Sequence, residues 1–233
     1  MDAATGIMDD QTPLVRALIG LTVVTGLVDA ISFLGLGHIF TANMTGNVVF
    51  LGFAAGGAPG ISAARSIAAL CAFAGGSVCG GRLTSRRQRT PVAHMLIATY
   101  VETALLLTAA SAATFAANDV SPAIAYAIVL STALAMGLRN AVVRKLAVPD
   151  LTTTVLTMTI TGLAADSSLA GGRGGRTTRR ALSILAMLAG ALAGAILLRT
   201  FGLRAPLVVA ALMVGGLSLY LRLHARPKLA MDR

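Results

Sequence analysis

Asp29, Thr41, Asn43, Thr45 and Asn47 fall within one otherwise apolar stretch, TGLVDAISFLGLGHIFTANMTGNVVFLGFA, from Thr25 to Ala54. A weaker copy follows at an offset of 111 residues and carries Thr152, Thr153, Thr154 and Thr157. Polar side chains inside such sequence are expensive to keep and usually have a reason to be there. Hydroxyls and amides of this kind can line a site for a small polar or anionic solute, or they can hydrogen-bond helices to one another. Asp29 is the sharpest of them. It is read either as a proton-linked or gating carboxylate or as a structural acceptor for the polar segment that follows. Its counterpart in the second copy is Asn140. Glu102 and Arg139 fall at depths that differ by one or two helical turns, which predicts an ion pair between them.

These residues need elements to hold them, and the composition says which kind. The chain has 233 residues, 56% hydrophobic and 12% charged, with a mean hydropathy of +0.80. Soluble domains carry about 25% charged residues, so the class is integral membrane and the bilayer is the first partner. The net charge of +10 does not point to nucleic acid, because the basic residues are not interleaved with aromatics and Trp is absent. They cluster between apolar runs, where Lys and Arg set topology. Cys71 and Cys79 are eight apart on one helix, too far for a disulfide, and are expected as packed free thiols. His38, His94 and His224 are scattered. No metal or cofactor spacing, nucleophile motif or phosphate-binding loop is present, so an enzyme has no motif behind it.

A membrane-spanning helix needs about 20 apolar residues. Six runs qualify, near Leu14–Leu36, Ala64–Gly81, Val92–Ala116, Pro122–Val143, Ala181–Leu198 and Ala205–Leu221. Two more, Thr41–Ala55 and Thr152–Ala165, are shorter and more polar. The basic segments RLTSRRQR, RGGRTTRR and RLHARPKLAMDR belong on the cytoplasmic side, the last with the C-terminus. Thr152–Ala165 then begins and ends inside and is either re-entrant or interfacial; with the N-terminus also cytoplasmic, Thr41–Ala55 is non-spanning as well. A re-entrant path is long enough: Leu36 to Thr41, extended, reaches about 20 Å, against about 15 Å for half a hydrocarbon core. Thr41 or Asn43 is expected to cap the first short helix, and Asp150 the second. The two helix N-termini would then face each other and favour an acceptor-rich solute.

Three matches recur in order. TGLVDA aligns with MGLRNA, FTANMTG with LTTTVLT, and FAGGSVCGG with LAGALAGAI, the last at an offset of 115. They predict an inverted repeat with units near 14–116 and 122–223 inside a single integral-membrane domain, 1–233. Gly76 and Gly80, Gly190 and Gly194, and Gly52 and Gly56 have the GxxxG spacing of close helix packing. The first two pairs predict that their helices cross near the pseudo-twofold axis. Arg65 and Arg199, near span ends, are expected to reach for the interface.

The motifs VDA, FTANMTGN and LG between Gly26 and Gly52 resemble the YoaK-like family of bacterial inner-membrane proteins, the family of unknown function numbered 1275. NAVVRKLAVPDLTTTVLTMTITGLAADS, Asn140 to Ser167, is similar to the family's second signature. The resemblance implies a compact polytopic protein of the cytoplasmic membrane and brings no activity with it. The reading is therefore an all-α polytopic membrane protein with six spans and two short re-entrant helices. Its expected role is a small-solute transporter or channel. The alternative is a membrane scaffold or regulatory protein without a substrate path. Oligomeric state is left open by the sequence, a homo-oligomer included.

Overall fold

The computed structural model describes residues 12–85, 90–116, 120–146, 156–172 and 177–224. They form helices and the loops that join them, with no strand among the described residues. The helices are α1 (Thr12–Gly35), α2 (Met44–Ala55), α3 (Ala63–Ser85), α4 (Pro91–Ala113), α5 (Pro122–Leu146), α6 (Leu156–Ala165), α7 (Thr177–Phe201) and α8 (Arg204–His224). Six are long and apolar enough to cross a membrane, and α2 and α6 are not. At 12 and 10 residues, these two are about 18 Å and 15 Å long, against a hydrocarbon core of about 30 Å.

Local sequence explains the starts. Pro13, Pro91, Pro122 and Pro206 lie in first turns, where a missing N–H costs nothing. Thr90 caps α4 by accepting from the Ala93 amide at 3.2 Å. Many hydroxyls inside the spans are satisfied within their own helices: Thr22 donates to the Leu18 carbonyl, Thr99 to Met95 and Ser218 to Val214. Large apolar side chains such as Leu34, Leu188, Leu192 and Leu212 are more than half exposed around the bundle. Lipid is the solvent that suits them.

α1 and α5 are the most buried spans, α3 and α7 the least. The principal pairings are α3 with α5, α1 with α7, α4 with α5, α1 with α8, and α4 with α8; α2 leans on α3 and α6 on α7. Exchanging α1 for α5, α2 for α6, α3 for α7 and α4 for α8 leaves that set unchanged. The exchange extends to single atoms. A methyl group added to Gly26 would strike the Met187 carbonyl, and one on Gly190 the Val23 carbonyl. On the other side, Gly137 meets the Phe73 carbonyl and Gly76 the Leu134 carbonyl. These glycines let the two pairs of backbones touch, the role such residues have in membrane helices.

The contacts also give direction. Going up α1, Val23, Leu27 and Gly35 meet Gly190, Gly194 and Leu198 of α7, so those helices run parallel. Gly20 and Gly35 meet Leu217 and Leu203, so α8 runs against α1. Arg65 at the start of α3 reaches Leu36 at the end of α1. Helices α3 and α5 run parallel to each other, since Gly76 meets Leu134 and Gly80 meets Leu138 and Ala141. The first set therefore runs up, down, up, and the second down, up, down.

Several expectations need correction. The helices carrying Gly76/Gly80 and Gly190/Gly194 do not cross each other. Each crosses the first span of the opposite set. The matching offset is 114 at these glycines, one less than the sequence alignment suggested, because backbone contact selects the glycine and not its neighbour. Gly52 has open space around it and Gly56 meets only carbonyls of its own helix, so the third GxxxG packs against nothing. Cys71 and Cys79 are free but exposed, not packed. Arg65 turns inward to the Leu36 carbonyl, at 3.0 Å, and does not reach outward.

Candidate functional site

The polar stretch after α1 folds back along it. Gly37 (φ 91°) and His38 (φ 57°) both adopt the left-handed conformation that reverses the chain. A side chain at Gly37 would collide with the Arg65 guanidinium. After the reversal the Ala42 amide donates to Asp29 Oδ1 at 3.0 Å, and Asn43 Nδ2 donates to Asp29 Oδ2. Asp29 is six residues before the end of α1, so the loop re-enters by about 9 Å. It stops about 8 Å short of the midpoint of α1, not at it. The fully extended path on which the midplane estimate rested is not taken.

Asn47 fixes the loop from the other side. Its Oδ1 accepts from the Phe40 amide at 2.9 Å and its Nδ2 donates to the Phe40 carbonyl at 2.6 Å. One buried amide thus serves Phe40 as a strand neighbour would, satisfying backbone groups that lipid could not. Phe40 stacks on Phe33 of α1 at 5.2 Å and on Phe50 of α2 at 5.7 Å. Asn43 lies level with Asp29 and Phe50 packs near Phe33, so α2 runs back toward the end of α1.

Asn43 does occupy the N-cap position of α2, but its side chain makes no capping bond. It is committed to Asp29. Thr41 is fully buried, and its hydroxyl has no hydrogen-bond partner. Thr45 is exposed and joins nothing here. Beside Asp29 lies a cleft of about 320 Å³, lined by Gly26, Ala30, Phe33 and Phe40, by Asn43, and by Met187 and Ala191 of α7. Neither Glu102 nor Arg139 lines it.

In the second copy, Thr157 is exposed on α6. Thr152, Thr153, Thr154 and the cap Asp150 lie outside the described residues. Among the described residues no extended contact joins α2 to α6, so the facing of two helix N-termini has no support in the packing. Arg180 of α7 holds α6, donating to the Gly162 carbonyl at 2.5 Å and to Asp166 at 2.7 Å.

A second polar group lies at the bundle centre. Glu102 is the central residue of α4, and Arg139 Nη1 sits 2.7 Å from its Oε1, with both side chains fully buried. Arg139 Nη2 donates to Thr25 Oγ1 at 2.5 Å and lies 3.1 Å from Met136 Sδ. Thr25 can accept because its own proton goes to the Leu21 carbonyl. Spacing alone did not single out Thr25 as a partner of Arg139. The available signal was its position near the midpoint of α1, at the depth where a buried guanidinium must find an acceptor. Glu102 and Arg139 are brought together, Asp29 and Asn43 are brought together, and the two groups stay separate.

The family model described as "Protein of unknown function (DUF1275)" matches residues 17–219. The chain belongs to that family. Within it, the UPF0700 transmembrane protein YoaK of Bacillus subtilis (strain 168) is 33% identical over 150 residues. That match covers 64% of this chain and 64% of the relative, a little under two thirds of its length. The family match includes Asp29, Glu102 and Arg139. No solved structure matches the chain.

Proposed function

We propose that this protein is a small-solute transporter or channel of the bacterial cytoplasmic membrane, built as an inverted repeat in one integral-membrane domain. The observation that carries the reading is the polar centre formed by Thr25, Glu102 and Arg139, at mid-height between two oppositely directed helix sets. Inverted repeats place their sites at that level, at the interface of the two units. Ionisable groups inside a membrane bundle are rare, and they pair with one another and mark substrate or ion pathways. Orientation follows from charge. Arg16, Arg82, Arg144, Lys145, Arg179, Arg180 and Arg222 gather at one end of the bundle, and Arg65, Arg199 and Arg204 at the other. The richer end is assigned to the cytoplasm, with both termini.

The test is solute-driven swelling of proteoliposomes across polyols, amides and small anions. A permeability above that of empty vesicles, lost in Arg139→Ala, is the expected result. No solute passing faster than through bare lipid would sink the transport reading. If flux appears but Asp29→Asn and Asn43→Ala leave it and solute binding unchanged, the path avoids the α1–α2 loop.

A scaffold without a substrate path is the second reading. It is favoured by the commitment of Asp29, Asn43 and Asn47 to holding one loop, and by a cleft that does not include Arg139. A bundle that passes no solute yet co-purifies with a fixed protein partner would be its signature.

A further inference from the structure

Three buried groups have a hydrogen-bonding position that no other described residue fills: Glu102 Oε2 and Arg139 Nε at the bundle centre, and His94 Nε2 nearer the basic end. Glu102 and Arg139 are fully buried and His94 is 7% exposed. His94, Ala98 and Glu102 are spaced by four on α4 and so share one stripe of the helix, with Ala98 fully buried between them. His94 sits in the first turn of α4, at the basic end of the bundle, about 12 Å along the axis from Glu102. The ion pair uses one carboxylate oxygen and one guanidinium nitrogen where a two-pronged pairing is available to Arg.

No other ionisable group reaches this level from the described helices around α4. On α5, Tyr126 lies in the first turns and Arg144 and Lys145 in the last. On α8, Arg204, Tyr220, Arg222 and His224 lie toward the two ends. On α3, Arg65 and Arg82 are terminal and Cys71 and Cys79 are exposed. On α1, Arg16 is near the start and Asp29 is bound to the Ala42 amide and Asn43.

Charge balance then constrains what the pair can do. Ionised Glu102 and Arg139 together are neutral. A proton on Glu102 forms an O–H bond, ends the ion pair and leaves Arg139 as an isolated buried cation, a strongly unfavourable state. An anion at the guanidinium restores neutrality. We propose that Glu102 takes up a proton, by way of His94 from the basic end, while Arg139 takes a small monoanion in place of the Glu102 carboxylate. Proton and anion bind as one neutral unit. The proposal rests on the transporter reading for its purpose and makes Glu102, not Asp29, the proton-linked carboxylate.

The experiment uses the full chain in detergent with a pH indicator, in weak buffer, titrated with chloride, nitrate or formate. One proton should enter per anion bound. Anion affinity should fall about tenfold per pH unit on the alkaline side. Glu102→Gln, which resembles the protonated acid, should bind the same anion without proton uptake and with affinity independent of pH. His94→Phe should slow proton uptake without changing its extent. If Glu102→Gln does not fold, the infrared carbonyl band of a protonated carboxyl should appear in the native protein when the anion is added. Anion binding without proton uptake, no such band, or no binding of any of the three anions would overturn the proposal. Flux without proton uptake would sink it and leave the transporter reading intact. Proton and anion co-binding without flux would do the reverse.

Discussion

Helices α2 and α6 hold equivalent places in the pairing pattern and are fixed by different chemistry. The loop before α2 is tied by Asp29 and Asn47 through bonds to backbone amides and a carbonyl, and by stacked Phe33, Phe40 and Phe50. α6 is held through Arg180 at the bundle edge, where Asp166 is 60% exposed. The two halves differ at the centre as well. Arg139 belongs to α5, and the residue at the equivalent position of α1 is Val28; Asp29 is matched by Asn140. The backbone crossings, by contrast, are equal on both sides. Helix packing here follows the twofold exchange, and charge does not.

The largest effect is expected where the halves differ most. Arg139→Ala leaves the Glu102 charge buried and alone, at a cost of about 3–5 kcal/mol. Arg139→Met combined with Glu102→Gln should recover most of it, as read from reversible unfolding in mixed micelles. If the double variant is no more stable than Arg139→Ala, the pair is not the unit that matters.

The crossings test the equality. Gly26→Ala and Gly137→Ala each force a methyl group onto a carbonyl of the facing helix, costing about 1–3 kcal/mol. The two losses should agree to within about 0.5 kcal/mol. A clear inequality would mean that the two sides pack differently from what the matching contacts imply.

Next comes the loop. Asp29→Asn sets one amide against the amide of Asn43 and should cost about 1–3 kcal/mol. Hydrogen exchange at the Ala42 amide should quicken. Adding Asn43→Asp restores a donor and acceptor pair and should slow it again. Exchange left unchanged by Asp29→Asn would show that the loop is held by the Phe stack and Asn47 alone. The smallest effect belongs to Arg180→Ala. An ion pair whose carboxylate is largely exposed is worth about 0–1 kcal/mol, so global stability should barely move while exchange across 156–165 rises and that across 44–55 does not.

The chain's own letters determined a great deal. Apolar runs of the length a bilayer requires specified the six spans, because in lipid each helix must satisfy its own backbone and be long enough to cross. Short polar segments identified α2 and α6 as too brief to do so. The VDA and FTANMTGN motifs pointed to the family. Depth along two helices was enough to suggest Glu102 beside Arg139.

What only the tertiary structure decided was which surfaces meet. Whether Gly76 crosses α5 or α7 depends on rotation and tilt about axes that no periodicity encodes. Whether Asn43 caps its own helix or binds Asp29 depends on a loop reversal at Gly37 and His38. Asn47 looked like a solute ligand because its amide has two donors and an acceptor. The same groups close on Phe40, since a backbone turned back inside lipid must find its hydrogen bonds within the protein.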